Sequence, residues 1–309
     1  MLNERMETME YCFGRLNSRI ISVIKDTDLN EVFEKLRGLD KPTIVTGVGG
    51  SSVVSAFFSK VIENKNHVIC TDMMPRDLLY RDLKGYRNVV ACSYSGNNIG
   101  VRASFENDLN HYLFSANKKD GINSIQYVVN DPEVSFISVA GTMMPLAVLF
   151  LYYTDNNVEL LKQILASDAG FNIDPDNMVY EIMFGYENRV SARLLESTIT
   201  EGALGVPLLH DKYNYCHGRY QLNVREKNDL IYFVRDTELD ELYLKELKEC
   251  YDRIICIPQK YQDPIIADFH TAILCFKLLK KMAEAKGTDF CRKDVPDHGQ
   301  MFYTFKGKM

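Results

Sequence analysis

The chain has 309 residues, 46% hydrophobic and 25% charged, a composition typical of a globular protein with a sizeable core. Its formal net charge of −6 and its scattered basic residues argue against a nucleic-acid-binding surface. The cysteines form no C-x-x-C pair, and several, such as Cys70, Cys92 and Cys256, lie in strand-like runs, so we expect reduced core cysteines in a cytoplasmic protein. The longest apolar run, near residues 143–153, is too short to span a bilayer, and no signal peptide opens the chain; we expect no membrane association.

Residues 1–40 show the apolar spacing of two helices, which we expect to pack on the body of the protein or on a partner subunit. From residue 41 the pattern changes to strands that alternate with helices. Predicted strands begin near Thr43, His67, Asn88, Tyr112 and Ile125. A strongly apolar helix follows from about Thr142 to Tyr153. This alternation predicts a mostly parallel sheet with helices on both faces.

Residues 167–177 are rich in turn-forming residues and form the predicted boundary between a first domain, 41–166, and a second, 167–309. The strand and helix pattern then restarts. Strands are predicted near Tyr180, Leu230 and Arg253, with helices from about Arg189, Glu238 and Pro264. The fold class is therefore α/β, with two consecutive doubly wound, flavodoxin-like domains.

A glycine-rich turn, G-V-G-G-S-S, separates the first predicted strand from its helix. Gly49 and Gly50 allow close approach of a ligand to the backbone, and Ser51 or Ser52 can cap the helix. The free N–H groups and the dipole of a helix N-terminus favour an anion such as phosphate. The turn alone is equally compatible with a tight strand–helix connection.

Other nucleotide motifs fit this turn less well. It is no Walker loop, because no Lys follows its last Gly. Its G-x-G start, together with Asp72 after the second predicted strand, leaves a nicotinamide dinucleotide site open as an alternative.

A second polar turn, S-Y-S-G-N-N, follows the third predicted strand. Its side chains Ser93, Ser95, Asn97 and Asn98 can donate hydrogen bonds to phosphate oxygens without adding charge. Ligands of open α/β sheets bind at the carboxyl ends of the strands, so we expect both polar turns to open on the same edge.

These two turns resemble the phosphate loops of the sugar isomerase (SIS) family of phosphosugar-binding domains. The family pattern of the second loop is usually S-x-S-G-x-T, and Asn98 stands here in the place of the Thr. Ser138 resembles the serine that the family places before its last helix. The resemblance covers residues 42–153 and, more faintly, 178–283. It implies two SIS-type domains and a phosphorylated sugar or amino-sugar as ligand.

The second half is similar to the isomerase domain of glucosamine-6-phosphate synthases, in which a helix Glu precedes an E-x-x-H-G-P motif. Glu201 lies sixteen residues before His217 in the sequence N-Y-C-H-G-R. The resemblance implies that Glu201 is the proton-transfer base and that His217 takes part in ring opening across a homodimer interface. Arg219 replaces the motif's Pro and could contact a substrate phosphate or carboxylate. The family's tail lysine has only Lys306 as a candidate.

The chemistry of aldose–ketose interconversion agrees with this reading. It needs a base that moves a proton between neighbouring carbons, which suits a Glu with a raised pKa, and a ring-opening group near neutrality, which suits His. We therefore expect a sugar-phosphate isomerase or an amino-sugar deaminase or deglycase. A sugar-phosphate sensor without catalysis is the alternative. We expect no metal, because the spacing of His210, Asp211 and His217 suits none, and no cofactor.

Overall fold

The computed structural model describes residues 6–224, with Val224 as backbone only, and residues 228–292. The chain divides into two compact units. Unit 1 comprises the described residues up to Leu161 together with Arg292, and unit 2 comprises Lys162–Cys291. Within the described ranges, no helix combines the length and apolar character that crossing a bilayer requires.

Unit 1 is built on a five-stranded sheet of strand order β2-β1-β3-β4-β5, in which every pair is parallel. Its elements are α1 Met9–Asp26, α2 Leu29–Arg37, β1 Thr43–Thr46, α3 Gly50–Asn66, β2 Cys70–Asp72, β3 Asn88–Cys92, α4 Ile99–Ser104, β4 Asn110–Ser115, β5 Asn123–Gln126 and α5 Ala140–Tyr153. A 3-10 turn, Pro75–Leu79, follows β2. The next helix, α6 Val158–Leu165, spans the division between the units.

The core of unit 1 lies between the sheet and helices α3 and α5. Helix α5 contains no charged residue and is buried on nearly all sides, as expected for a helix that is apolar all round. Phe58 of α3 packs edge-on against Phe114 of β4, with ring centres 5.3 Å apart. Helix α1 is held by the buried Arg19, whose guanidinium pairs with Glu7 at 2.7 Å and with Asp131 at 3.3 Å.

Unit 2 repeats this plan with a parallel sheet of order β7-β6-β8-β9. Its elements are β6 Val179–Phe184, α7 Arg189–Glu201, β7 Val206–Asp211, α8 Lys212–Tyr215, β8 Asp229–Val234, α9 Glu238–Leu247, β9 Arg253–Pro258 and α10 Pro264–Lys286. A 3-10 helix, Arg219–Val224, follows α8. The order matches the first four strands of unit 1, so the predicted fold class, two doubly wound α/β units, is confirmed.

Predictions about the strands differ from the structure at three places. Strand β7 was not predicted, because Pro207 lacks the backbone N–H that a strand within a sheet needs. The structure tolerates this Pro because β7 is an edge strand. Strand β2 begins at Cys70, not His67, because α3 continues to Asn66 and ends where His67 adopts left-handed backbone angles. Cys256, predicted in the core, is exposed on β9, whereas Cys70 and Cys92 are buried and all are free thiols.

Candidate phosphate-binding site

The two polar turns lie side by side at one edge of the sheet of unit 1. Strands β1 and β3 are parallel neighbours, paired from Thr43 with Asn88 to Thr46 with Ala91. Residues 47–52 follow the carboxyl end of β1, and residues 93–98 follow that of β3. A Cβ atom added to Gly100 would lie 3.0 Å from Val48 and 3.1 Å from Asn98, so the segments are in close contact.

Two glycines shape the first turn. A Cβ atom at Gly47 would lie 2.2 Å from the carbonyl oxygen of Ser51, so no larger residue fits there. Gly49 is the N-cap of α3, with φ of 56°, and no side chain of the described residues caps this helix. Ser51 and Ser52 lie inside the first turn of α3, which corrects the prediction that one of them caps it.

The surroundings of this turn leave polar groups available to a ligand. Gly49 and Gly50 are exposed and Ser51 is half-buried, whereas Ser52 is buried. The hydroxyl of Thr46, buried at the end of β1, has no hydrogen-bond partner among the described residues. Gly50 faces the start of α5, since a Cβ atom there would lie 3.0 Å from Oγ1 of Thr142.

The second turn is held by two of its own side chains. The buried Ser93 hydroxyl accepts hydrogen bonds from the Gly96 N–H at 3.0 Å and from the Asn98 amide at 3.3 Å. Asn98 also caps α4, because its Oδ1 accepts from the Val101 N–H at 2.9 Å. Ser95 and Asn97 are exposed. Ser93 and Asn98 thus fix the shape of the turn, whereas Ser95, whose hydroxyl accepts from the Asn97 N–H at 3.4 Å, and Asn97 present exposed side chains to a ligand.

Ser138 is already engaged in a helix cap. Its hydroxyl donates to the carboxylate of Glu133 at 2.8 Å and accepts from the Gly141 N–H at 2.9 Å. The Glu133 carboxylate also accepts from the backbone N–H groups of Val139 and Ala140, at 3.1 and 2.5 Å. An internal anion therefore occupies the N-terminus of α5, and Ser138 helps to hold it there.

A lysine that the sequence analysis missed touches the second turn. The Lys119 ammonium, on the loop between β4 and β5, donates to the carbonyl of Gly96 at 3.2 Å. Asn117 of the same loop donates to the carbonyl of Tyr94 at 3.3 Å. The β4–β5 loop thus supports the turn and places a positive charge beside it. No motif indicated this contact, because it depends on the pairing of β3 with β4.

The solved structures most informative for this arrangement are phosphosugar proteins. A candidate phosphosugar isomerase from Clostridium difficile 630 superposes with a TM-score of 0.73 over 97% of this chain and 99% of its own, at 13% identity. The C-terminal domain of glucosamine-fructose-6-phosphate aminotransferase from Francisella tularensis superposes with a TM-score of 0.67 over 91% of this chain and 97% of its own, at 13% identity. Glucosamine-6-phosphate deaminase from Thermotoga maritima superposes with a TM-score of 0.64 over 90% of this chain and 98% of its own, at 12% identity.

The chain has the fold of the SIS phosphosugar isomerases. At these identities the likeness establishes the fold, and the fold that the sequence resemblance implied is confirmed. No protein-family model matches the sequence, and no curated protein does either.

Within this SIS-type fold, the carboxyl edge of unit 2 differs from that of unit 1. Helix α7 corresponds to α3, because each follows the strand of its sheet that comes first in the chain. The buried carboxylate of Asp268 accepts from the backbone N–H groups of Val190, at 3.1 Å, and Ser191, at 2.9 Å. An internal anion therefore fills the position in unit 2 that is open in unit 1.

The predicted catalytic residues lie at separate places in unit 2. Glu201 ends α7, which runs antiparallel to β6 and β7, so it lies at the amino edge of the sheet. His217 and Arg219 are exposed beyond α8, in a segment that begins at the carboxyl edge. Lys306 lies outside the described residues.

Glu201 has one property that suits a base. The residue as a whole is exposed, but neighbouring atoms remove part of the hydration of its carboxyl, and this raises the carboxyl pKa. The hydrogen bond from the Ser197 hydroxyl, at 3.0 Å, lowers the pKa, and the charge of Glu196 raises it.

Asp72, the residue that a nicotinamide site would need, is engaged elsewhere. Its carboxylate accepts a hydrogen bond from the Ser55 hydroxyl of α3 at 2.6 Å. The contact ties the end of β2 to α3, and a ribose would have to compete with it.

Proposed function

We propose that this protein binds a phosphorylated sugar or amino-sugar through the two polar turns of unit 1. The observation that carries this proposal is the juxtaposition of residues 47–52 and 93–98 at the carboxyl ends of neighbouring parallel strands, beside the uncapped N-terminus of α3. The side chains of Ser51, Ser95 and Asn97 supply the donors, and the dipole at the N-terminus of α3 favours the anion. Gly50 and Ser52 shape the approach. The neighbouring solved structures agree with a phosphosugar ligand.

We further propose that the bound sugar phosphate is isomerised or loses an amino substituent. In this scheme Glu201 removes and returns the proton next to the carbonyl carbon, and its raised pKa makes it a stronger base than an ordinary carboxylate. His217 donates and accepts the proton of ring opening, and Arg219 contacts the phosphate or another acidic group. The site would be completed in a homodimer, as the sequence resemblance implies.

A charge placed in the first turn tests the binding site. Ser51→Asp puts a carboxylate in the first turn of α3, where it repels phosphate but interacts favourably with the helix dipole. We expect isothermal titration with glucosamine 6-phosphate and glucose 6-phosphate to show loss of binding, while the melting temperature of the free protein stays the same or rises. Ser18→Asp, at an exposed position of α1, is the control and should bind normally. Undiminished binding by Ser51→Asp would contradict the proposed site.

A non-catalytic sensor is the second candidate, and the substitution of Asn98 for the family's Thr favours it. Wild-type protein that binds phosphosugars in titration but turns over none of them, with or without amino substituents, would support the sensor over the enzyme.

A further inference from the structure

Glu181 is a fully buried carboxylate on β6 that the proposed function does not use. Its Oε1 accepts from the amides of Asn223 and Asn228, each at 2.9 Å, and its Oε2 accepts from the Tyr251 hydroxyl at 2.7 Å. The His210 ring nitrogen Nε2 lies 3.2 Å from Oε2. Burial raises the pKa of Glu181, but these four contacts outweigh it and hold the pKa below its usual value. The hydrogen bonds to Glu181 therefore favour its ionised form.

Two of these contacts lead to the ends of one surface segment. Tyr215, buried at the end of α8, shares a 2.7 Å hydrogen bond with the Tyr251 hydroxyl, which in turn donates to Glu181. Asn223, buried in the 3-10 helix, donates to Glu181 directly. Residues 216–222, here called the arch, lie between these two anchors and carry His217 and Arg219.

Apart from these anchors the arch has few contacts, among them those of the Cys216 thiol with the Tyr243 hydroxyl at 3.2 Å and with the Lys212 carbonyl at 3.4 Å. Most of its side chains are exposed. Its internal bonds include one from the Gln221 N–H to the Gly218 carbonyl, at 3.0 Å, and Gly218 has a φ of 93° that other residues rarely adopt. An exposed segment with few apolar contacts keeps one position only if its ends are fixed. Both ends are fixed by the same carboxylate.

A purely structural explanation accounts poorly for the choice of Glu at this position. Burying an ionised carboxylate is unfavourable even when it is well paired, and an apolar side chain of similar size would pack in the core at lower cost. A carboxylate, however, accepts several directed hydrogen bonds at once, which fixes the direction of each donor.

We propose that Glu181 is a positioning residue that anchors both ends of the arch and so fixes His217 and Arg219 for the substrate. The proposal rests on the proposed function of His217. It extends that function by assigning a role to a residue that contacts neither substrate nor reacting atoms.

Paired tyrosine variants test the proposal. Tyr251→Phe removes the hydroxyl that joins Tyr215 to Glu181. Tyr243→Phe is the control, because its hydroxyl contacts Cys216 at 3.2 Å, in the same segment, but belongs to none of the bonds to Glu181. In hydrogen–deuterium exchange, we expect faster exchange of residues 216–222 in Tyr251→Phe and not in Tyr243→Phe.

Turnover provides the second readout. If the arch positions His217, kcat for the phosphosugar should fall about tenfold to a hundredfold in Tyr251→Phe, since small misplacements of catalytic groups have effects of that size. Glu181→Gln keeps an acceptor for both Asn amides and an amide that can donate to the Tyr251 oxygen, so it should retain most of kcat.

The outcomes separate the two proposals. Unchanged exchange of the arch in Tyr251→Phe overturns the anchoring role, and faster exchange with unchanged kcat overturns the positioning role. Absence of turnover by the wild-type protein contradicts the proposed enzyme instead. In that case the exchange data alone decide whether Glu181 anchors the arch.

Discussion

Lys119 is the residue whose charge we expect to matter most beside the second polar turn. Its ammonium lies 3.2 Å from the Gly96 carbonyl, whereas Ser95 and Asn97 of the turn are uncharged. Removing the charge in Lys119→Met should weaken binding of glucose 6-phosphate about threefold to tenfold, the range of a partly exposed charge interaction. Titration at low and high salt measures this, and the loss should shrink at high salt.

The neighbouring Lys118 provides a matched control for this prediction. It is exposed one residue earlier on the same loop. Lys118→Met changes the net charge by the same amount, so any general effect of charge would appear in both variants. Equal weakening in the two would show that proximity to the turn is irrelevant.

Glu201 yields a prediction about pH, because its carboxyl pKa is raised above the ordinary 4.5. A base must be ionised to act, so turnover should fall as the pH drops through this raised pKa, and the acid limb of the kcat profile should lie above 4.5. A raised carboxyl pKa also means that the folded state binds the proton more tightly than the unfolded state. Stability from this group therefore decreases as the pH rises through the raised pKa.

The variant Glu201→Gln tests both the catalytic role of this carboxyl and its effect on stability. At pH 7 it should lose turnover, keep phosphosugar binding and melt at the same or a higher temperature than the wild-type protein. Glu196→Gln, on the same helix, is the control. A loss of turnover in Glu196→Gln equal to that in Glu201→Gln would argue against the assignment of the base.

At the scale of elements, two helices of unit 2 are capped by carboxylates in different ways. Asp268 of α10 caps α7 from 78 residues away. Asp263 caps its own helix, α10, through the N–H groups of Ile265 and Ile266 at 2.9 Å. Asp268 is fully buried, so Asp268→Ala would leave the N–H groups of Val190 and Ser191 without a hydrogen-bond partner where water cannot replace it. We expect the free energy of unfolding to fall by about 3 kcal/mol. Asp263→Ala should cost about 1 kcal/mol. Denaturant unfolding measures both, and equal costs would contradict the role assigned to burial.

Elements with a local sequence pattern could be predicted, whereas contacts between distant residues could not. Local patterns predicted β1, β3, α5, α7 and α10, because alternation, apolar spacing and capping residues lie within each segment. The position of the two turns after parallel strands predicted the edge at which they open. The contacts of Glu133, Glu181 and Asp268 were missed, since a single acidic residue has no pattern and its donors come from other elements. Lys119 was missed for the same reason.

At the scale of the molecule, two units of the same strand order have different carboxyl edges. In unit 1 an uncapped helix N-terminus meets hydroxyl and amide side chains. In unit 2 the corresponding N-terminus holds Asp268, and Lys212 nearby is neutralised by Asp240 at 3.2 Å and Glu187 at 3.8 Å. The shared fold thus leaves a helix N-terminus without a side-chain cap at the proposed anion site of unit 1 and carries an internal ion cluster in unit 2.

The difference predicts the stoichiometry of binding. A phosphate approaching α7 would meet the carboxylate of Asp268, whereas no side chain of the described residues caps α3, so unit 2 should bind none, and titration should give roughly one phosphosugar per chain. Ser51→Asp should reduce that number to zero, because it affects the site of unit 1 alone. Two phosphosugars per chain, or one that persists in Ser51→Asp, would mean that a carboxylate at a helix N-terminus does not exclude phosphate in this fold.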